Sequence, residues 1–354
     1  MNADPRWAFV GCFTTAQRKA RGTGIGVYRL AADPGAWQLT GHVAGLVNPS
    51  FLITDAARNI LYCSHGDSDF ATAYAIDAER GTLRPLGAAA TGGINGVHPA
   101  LDPSGRFLIV ANYASGSLGV LPIRSDGSLA GATQVLDLPG PIGPHRVEQR
   151  SSHPHNVVFS PSGRFLLVPD KGLDRVFVLS FDPARGQLAI AGEAVTRPGA
   201  APRHVVFHPT LPFVFLANEL ASTVTTCRWN DAAGALEPAH VVPTLPPDFF
   251  GRSTAAAIVV TADGNHVYVS NRGNDSIARF RFDGAEGRLE PTGWTAANGP
   301  DPRFMMLAPG GESLLVAAEQ GDNIAAFGIG AADGSLHPRG GVLSCASPCT
   351  IAFL

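Results

Sequence analysis

No apolar run in this sequence approaches the roughly 18 residues that a membrane-spanning helix needs. Charge is scarce too: Asp, Glu, Lys and Arg make up only 16% of the 354 residues. The formal net charge is −3, so the basic surface on which nucleic-acid affinity rests is lacking. Cysteine is sparse as well. The five (Cys12, Cys63, Cys227, Cys345 and Cys349) are scattered, no CxxC pair occurs, and only the last two lie close together. That argues against both a disulfide framework and a structural zinc site. Walker, GxSxG, HExxH and Rossmann patterns are missing, and no cofactor is expected. Residues 1–6 carry neither the basic region nor the apolar core of a signal peptide. The expectation is a cytoplasmic protein, monomeric or weakly dimeric, without a nucleic-acid or membrane partner.

What the chain does have is 41 glycines and 28 prolines in a sequence that is 45% apolar, too hydrophobic for a disordered chain. The length suggests two domains, but a unit repeating about every 50 residues, in the range of propeller blades, replaces that division. Each unit opens with a short strand and turn, as in Ala100-Leu-Asp-Pro-Ser-Gly105 and Val157-Val-Phe-Ser-Pro-Ser-Gly163. An apolar second strand follows (Phe107-Leu-Ile-Val, Phe213-Val-Phe-Leu), then a third, then a Gly-centred turn such as Ala184-Arg-Gly-Gln-Leu into a fourth. Glycine tolerates the positive φ of such turns. No stretch shows a helical period. Six units cover roughly residues 48 to 340; residues 1–45 and 341–354 supply a seventh, closed by pairing the C-terminal strand with N-terminal ones, which removes the exposed edges. The prediction is a single all-β domain over 1–354, a seven-bladed β-propeller with four antiparallel strands per blade.

First strands of propeller blades line the central channel, so equivalent positions converge. Aligning the repeats gives one ring at Pro49, Val97, His155, Arg203, Ala256 and Arg303, and a second at Phe13, His65, Tyr113, Lys171, Glu219, Arg272 and Glu319. Turn chemistry explains the asparagines beside the second ring, Asn112, Asn218 and Asn271. It does not explain the long charged residues, which are seldom buried unless paired. An inter-blade ion-pair network is one reading of them; an anion pocket is the other. Arg203 and Arg272 suit carboxylate or phosphate, with Lys171 or Arg303 in support. Glu219 and His155 are alternatives for activating water. His204 is either a substrate contact or a packed histidine. Glu219, Asn271 and Asp170 are oxygen donors in number enough for calcium, but Arg272 and Lys171 beside them oppose a cation, and no metal is expected.

The stretches His153-Pro-His-Asn-Val-Val-Phe159, Pro202-Arg-His-Val-Val-Phe207, Ala217-Asn-Glu-Leu220 and Ser270-Asn-Arg-Gly273, with Val110-Ala-Asn-Tyr113, resemble the seven-bladed lactonase family over essentially the whole chain. That family includes propeller-type 6-phosphogluconolactonases and 3-carboxy-cis,cis-muconate cyclases. The resemblance implies catalytic roles for His155, Arg203, Glu219 and Arg272. It also implies that the polar insertion Gly143-Pro-His-Arg-Val-Glu-Gln-Arg-Ser-Ser152 covers the channel mouth, which makes Arg146, Gln149 and Arg150 substrate contacts beside Lys171, Arg303, Tyr113 and His204. The implied activity is hydrolysis of an anionic lactone, foremost 6-phosphogluconolactone; a lactone-forming cyclase and a non-enzymatic scaffold are the alternatives. Two departures, Ala257 where the family often has an acid and Phe304 where it often has histidine, make the mouth less polar.

Overall fold

The computed structural model describes residues 6–354, so the N-terminal stretch read for a targeting signal lies almost wholly outside the described residues. Seven antiparallel sheets form a ring. Blades 1 to 6 follow in chain order and begin at Pro49, Gly96, Val158, Pro202, Thr254 and Pro302. Blade 7 joins the chain ends: Pro348–Phe353 pairs with Trp7–Cys12, followed by Gly24–Arg29 and Gln38–Ala44. Each blade has four strands in a meander, and blade 6 gains the short Leu343–Ser344 against Asn323–Ile329. Two 3-10 turns, Ala16–Arg18 and Pro34–Ala36, are the helical elements among the described residues. None is long or apolar enough to cross a membrane.

The strand order follows from burial. Second strands sit between neighbouring blades and are apolar on both faces, so Phe213–Asn218 is buried throughout. Outer strands are mostly exposed, as in Gln187–Val195, where Leu188 and Ala194 alone are buried. The core is therefore a set of inter-blade layers, for example Phe213 and Phe215 of blade 4 against Phe280 and Phe282 of blade 5. The turn glycines complete these layers. Gly186 and Gly234 have φ of 64° and 62°, and a Cβ on either would collide with the ring of Phe107 or Phe165 in the preceding blade. They answer two demands at once, conformation and close approach.

One irregularity aims side chains into the channel. In most blades the first strand breaks register with the second near its start: Pro202 faces Asn218, but His204 faces Ala217, leaving Arg203 unpaired. The same bulge frees Ser50, Arg303 and Cys349. Bulges re-aim side chains in this way. The residue before each of these strands is left-handed, with φ of 37° at Asn48, 54° at Ala201, 60° at Asp301 and 46° at Ser347. Side-chain acceptors hold these strained positions. Asp174 takes the Ala201 N–H at 2.8 Å, Asp275 that of Asp301 at 2.9 Å, and Asp322 that of Ser347 at 2.8 Å.

The register also corrects two positions of the ring alignment. Pro49 pairs with His65, as Pro202 does with Asn218, so the channel residue of blade 1 is Ser50. His65 takes the place of the strand-end asparagines, not of the charged ring. It is fully buried, with Nδ1 2.7 Å from the Val47 carbonyl and Nε2 2.9 Å from Thr72 Oγ1.

Candidate active site

At one end of the channel a cavity of about 1280 Å³ is lined by residues from all seven blades. Both rings converge there: Ser50, Val97, Arg203, Arg303 and Cys349 from first strands, His155 from the segment leading into Val158–Phe159, and Phe13, Tyr113, Lys171, Glu219 and Arg272 from second-strand ends. The lining holds six cationic side chains (Arg18, Lys171, Arg203, Arg252, Arg272, Arg303) against the carboxylates Glu148 and Glu219.

Glu219 is the hub of blades 3 to 5. Lys171, one of two lysines in the chain, donates a 2.8 Å hydrogen bond to its Oε1. Arg203 Nε lies 3.0 Å from Oε2, and Arg272 places a terminal nitrogen 3.2 Å from Oε1. Burial would raise the Glu219 carboxyl, but Arg272, Lys171 and Arg203 outweigh it and hold the group well below the usual carboxylate range. Burial likewise opposes the Lys171 charge, and Glu219 reverses the balance, holding the ammonium above the usual lysine range. Arg203 is nearly inaccessible. Burial, and then Arg272 and Arg303, weigh against its charge, yet a guanidinium stays protonated in proteins. The two arginines approach Glu219 as ion pairs without hydrogen-bond alignment at Arg203 Nε or at the Arg272 terminal nitrogen nearest the carboxylate.

On the opposite side Arg303 lies 3.5 Å from Glu319, and its guanidinium stands 5.1 Å from the centre of the Phe13 ring, which Arg18 also faces at 4.5 Å. Burial opposes the Arg303 charge, but Glu319 and Asp301 raise its proton affinity. Three histidines separate the two sides. His204 lies 5.2 Å from His155 and 5.3 Å from His98, ring centre to ring centre, and His98 packs on Phe51 at 4.0 Å. Burial and then Arg203 push all three down, His98 to about 3, so each is neutral at pH 7. Tyr113 stacks on His153 at 4.6 Å and meets the His155 ring edge-on at 5.5 Å. Lys171 stands 5.7 Å from the Tyr113 ring centre.

Of the residues singled out from sequence, the fold brings His155, Arg203, Glu219, Arg272, Lys171, Arg303, Tyr113 and His204 to this one cavity. The insertion lies at the mouth, but through other residues: His145, Val147 and Glu148 line the cavity, and Glu148 reaches Lys171 at 3.2 Å. Arg146 is exposed and outside the lining. Gln149 turns inward to brace the loop, donating to the Lys171 carbonyl at 2.8 Å and to Asp174 at 2.7 Å while accepting the His145 N–H. Arg150 bonds to the Arg146 carbonyl. The loop thus orders itself with the residues that were expected to meet substrate. His98, Glu148 and Arg252 escaped sequence reasoning; His98 stands directly after Val97 of the first ring, as His204 stands after Arg203, and that parallel was the available signal. Asp170 and Asn271, weighed as calcium ligands with Glu219, instead bond locally, to Ser152, His153, Gly172 and Leu173 and to Thr244 and Ser276. No group of three or more His, Cys, Asp or Glu side chains among the described residues is arranged to hold a metal ion.

The family model for lactonases with a seven-bladed β-propeller matches residues 8–353. A 6-phosphogluconolactonase of Bacillus subtilis is 33% identical over 88% of this chain and 87% of its own length. One of Formosa agariphila is 30% identical over 87% and 88%. The structure of a periplasmic gluconolactonase of Pseudomonas aeruginosa superposes with a TM-score of 0.88 at 30% identity, covering 98% of both chains. With the repeat, the ring closure and the charged channel mouth all accounted for, the chain belongs to the seven-bladed β-propeller lactonase family.

Proposed function

We propose that this protein hydrolyses an anionic sugar lactone, 6-phosphogluconolactone foremost, to the open hydroxy acid. The observation that carries the reading is the surplus of positive charge at the channel mouth, where Arg18, Lys171, Arg203, Arg252, Arg272 and Arg303 face only the carboxylates Glu148 and Glu219. A phosphate or carboxylate would offset that surplus, and guanidinium groups are suited to such anions. The names of the relatives agree with a lactone substrate.

The division of labour follows from the electrostatics. Glu219, ionised and held by three cations, is a poor proton acceptor; its role is to anchor Lys171, Arg203 and Arg272 in one place. His155 is the better base. Its proton affinity is lowered by burial and then by Arg203, Arg303 and Lys171, and an anionic substrate that screens those cations raises it again. In the proposed cycle water attacks the lactone carbonyl as His155 takes its proton. Arg203 and Arg272 offset the charge on the tetrahedral oxygen. The bond from the carbonyl carbon to the ring oxygen then breaks, and His155 returns the proton to that oxygen. A cytoplasmic location is part of the proposal, supported by five free cysteines.

Acid release followed on 6-phosphogluconolactone and gluconolactone, with ultraviolet loss of 3-carboxymuconate as a third arm, tests the reading. Two charge-assisted bonds to phosphate at about 1.5 kcal/mol each predict a preference of roughly 100-fold in kcat/KM for the phosphorylated lactone. Turnover of the muconate alone would replace hydrolysis by cyclisation, and no turnover of any would leave a binding scaffold.

A further inference from the structure

The fold brings together two cysteines that stand at opposite ends of the sequence. Cys12 is the last residue of Trp7–Cys12, and Cys345 lies three residues before Pro348–Phe353, the strand that closes the ring against it. Their Sγ atoms are 3.6 Å apart, and the residues are only 6% and 7% exposed. Among the described residues this is the one sulfur–sulfur contact at hydrogen-bond distance. Cys63 donates to the Ser64 carbonyl, and Cys349 to the Gly11 and Pro49 carbonyls.

The backbone on both sides of the pair is tied down. Phe13 donates its N–H to the Ser347 carbonyl at 3.0 Å, Cys345 donates to the Asp322 carbonyl at 2.9 Å, and Arg21 bonds Ser347 Oγ through its N–H at 2.9 Å. An ion pair of 2.5 Å joins Arg21 to Asp322. The two sulfurs stand about 1.5 Å farther apart than in a disulfide bond of about 2.05 Å.

We propose that Cys12 and Cys345 are a modification site: they form a disulfide that closes the propeller ring covalently when the protein meets a peroxide. The Cys345 thiolate attacks one peroxide oxygen, the O–O bond breaks, and Cys345 becomes a sulfenic acid as the departing hydroxide is protonated to water. The Cys12 sulfur then attacks the Cys345 sulfur, the S–O bond breaks, and the oxygen leaves as a second water carrying the Cys12 proton. Two thiols are oxidised by two electrons and one peroxide is reduced to two waters. The environment supports Cys345 as the first to react: the hydrogen bond from Cys12, opposed by burial and aided by Tyr28, lowers its pKa.

The cross-link spans 333 residues. Loops of that length lose the most unfolded-state entropy when closed, and the bond would add a covalent link to the strand pairing, ion pair and apolar packing that close the ring. Reduced protein keeps five free thiols; oxidised protein is expected to keep three.

Intact-mass analysis after hydrogen peroxide treatment, denaturation and alkylation tests this. The expected result is three alkylated cysteines, a 12–345 cross-linked peptide after digestion, and recovery of all five on reduction. The oxidised protein should also melt about 5 °C or more above the reduced one. Cys345→Ser should abolish cross-link and shift together, whereas Cys63→Ser should abolish neither. Should Cys345→Ser not fold, Cys12→Ser serves in its place, and the peptide map of the wild type decides alone. Five alkylated thiols after peroxide, or a cross-link running through Cys349, would overturn the proposal.

Discussion

Two sides of one channel mouth use the same ring positions in opposite ways. Around blades 3 to 5, Lys171, Arg203 and Arg272 share Glu219; Glu148 and Asp301 stand at the margin, at 3.2 Å from Lys171 and 3.8 Å from Arg272. Around blades 6 and 7 each cation has its own acid, Arg303 with Glu319 and Arg18 with Asp67, and the Phe13 face lies between them. The first arrangement leaves positive charge over in a buried place, and the second does not. An anion gains where charge is in surplus, and this is the ground on which the proposed mechanism sets the lactone beside Arg203 and Arg272. The balanced side offers an aromatic surface and a long-range field.

That comparison breaks most visibly at Arg203. Arg203→Ala removes a buried donor from the surplus side and should lower kcat/KM for the phosphorylated lactone by about 100- to 1,000-fold. Arg303→Ala, on the balanced side, should cost about tenfold. Equal losses in steady-state assays would erase the distinction between the sides.

Stability divides the same way. Glu219→Gln leaves three buried cations without their shared anion and should cost about 3–5 kcal/mol in urea unfolding. Glu319→Gln unpairs a single arginine, 3.5 Å away with a side chain 21% exposed, and should cost less, about 1–3 kcal/mol. The pH dependence carries a sign. The Glu219 carboxyl titrates lower in the folded than in the unfolded chain, so its contribution is complete above the unfolded carboxylate range and is lost as pH falls towards the folded value. Glu219→Gln should therefore flatten the loss of stability below about pH 4.5. An unchanged acid limb would show that the three cations do not hold this carboxylate.

The fold was legible because its signals repeat. Gly-centred turns such as Ala184-Arg-Gly-Gln-Leu mark blades 1 to 6, and the turn glycines Gly186 and Gly234 serve local conformation and inter-blade packing together. The charged ring was legible for the same reason. A register slip of one residue was not, because a bulge adds a residue to one strand only; hence Pro49 and His65 were placed one position away from Ser50 and the channel. Nor could spacing disclose which side of the 143–152 loop faces inward. Gln149 is drawn under the loop by the Lys171 carbonyl and Asp174, which are distant in sequence, and that leaves Glu148 at the mouth. The meeting of Cys12 with Cys345 depends on ring closure itself.

The histidine wall between the two sides yields a third, smaller effect. His204 is buried and neutral in the folded chain, pushed down by burial and then by Arg203, His155 and His98. Below about pH 6.5 the unfolded chain takes up a proton that the folded chain refuses, so stability falls with pH, by up to about 1.4 kcal/mol per unit for one such group. His204→Asn should reduce the slope of unfolding free energy between pH 6 and 5 by about one proton. No change in slope would mean that His204 protonates in the folded cavity and that the wall is charged.

The smallest effect sharpens the comparison most finely. Glu148 is the movable acid of the surplus side, 42% exposed on its loop and 3.2 Å from Lys171. An ion pair this exposed is worth roughly 1 kcal/mol or less, weakened further by salt. Glu148→Gln subtracts that negative charge without unpacking the loop, whose bracing comes from Gln149. If surplus charge attracts the substrate, KM for the phosphorylated lactone should fall by about two- to fivefold at low salt while kcat holds, and the difference should fade as salt is raised. A rise in KM would show instead that Glu148 positions Lys171, and that the loop acid belongs to the binding machinery and not to its opposition.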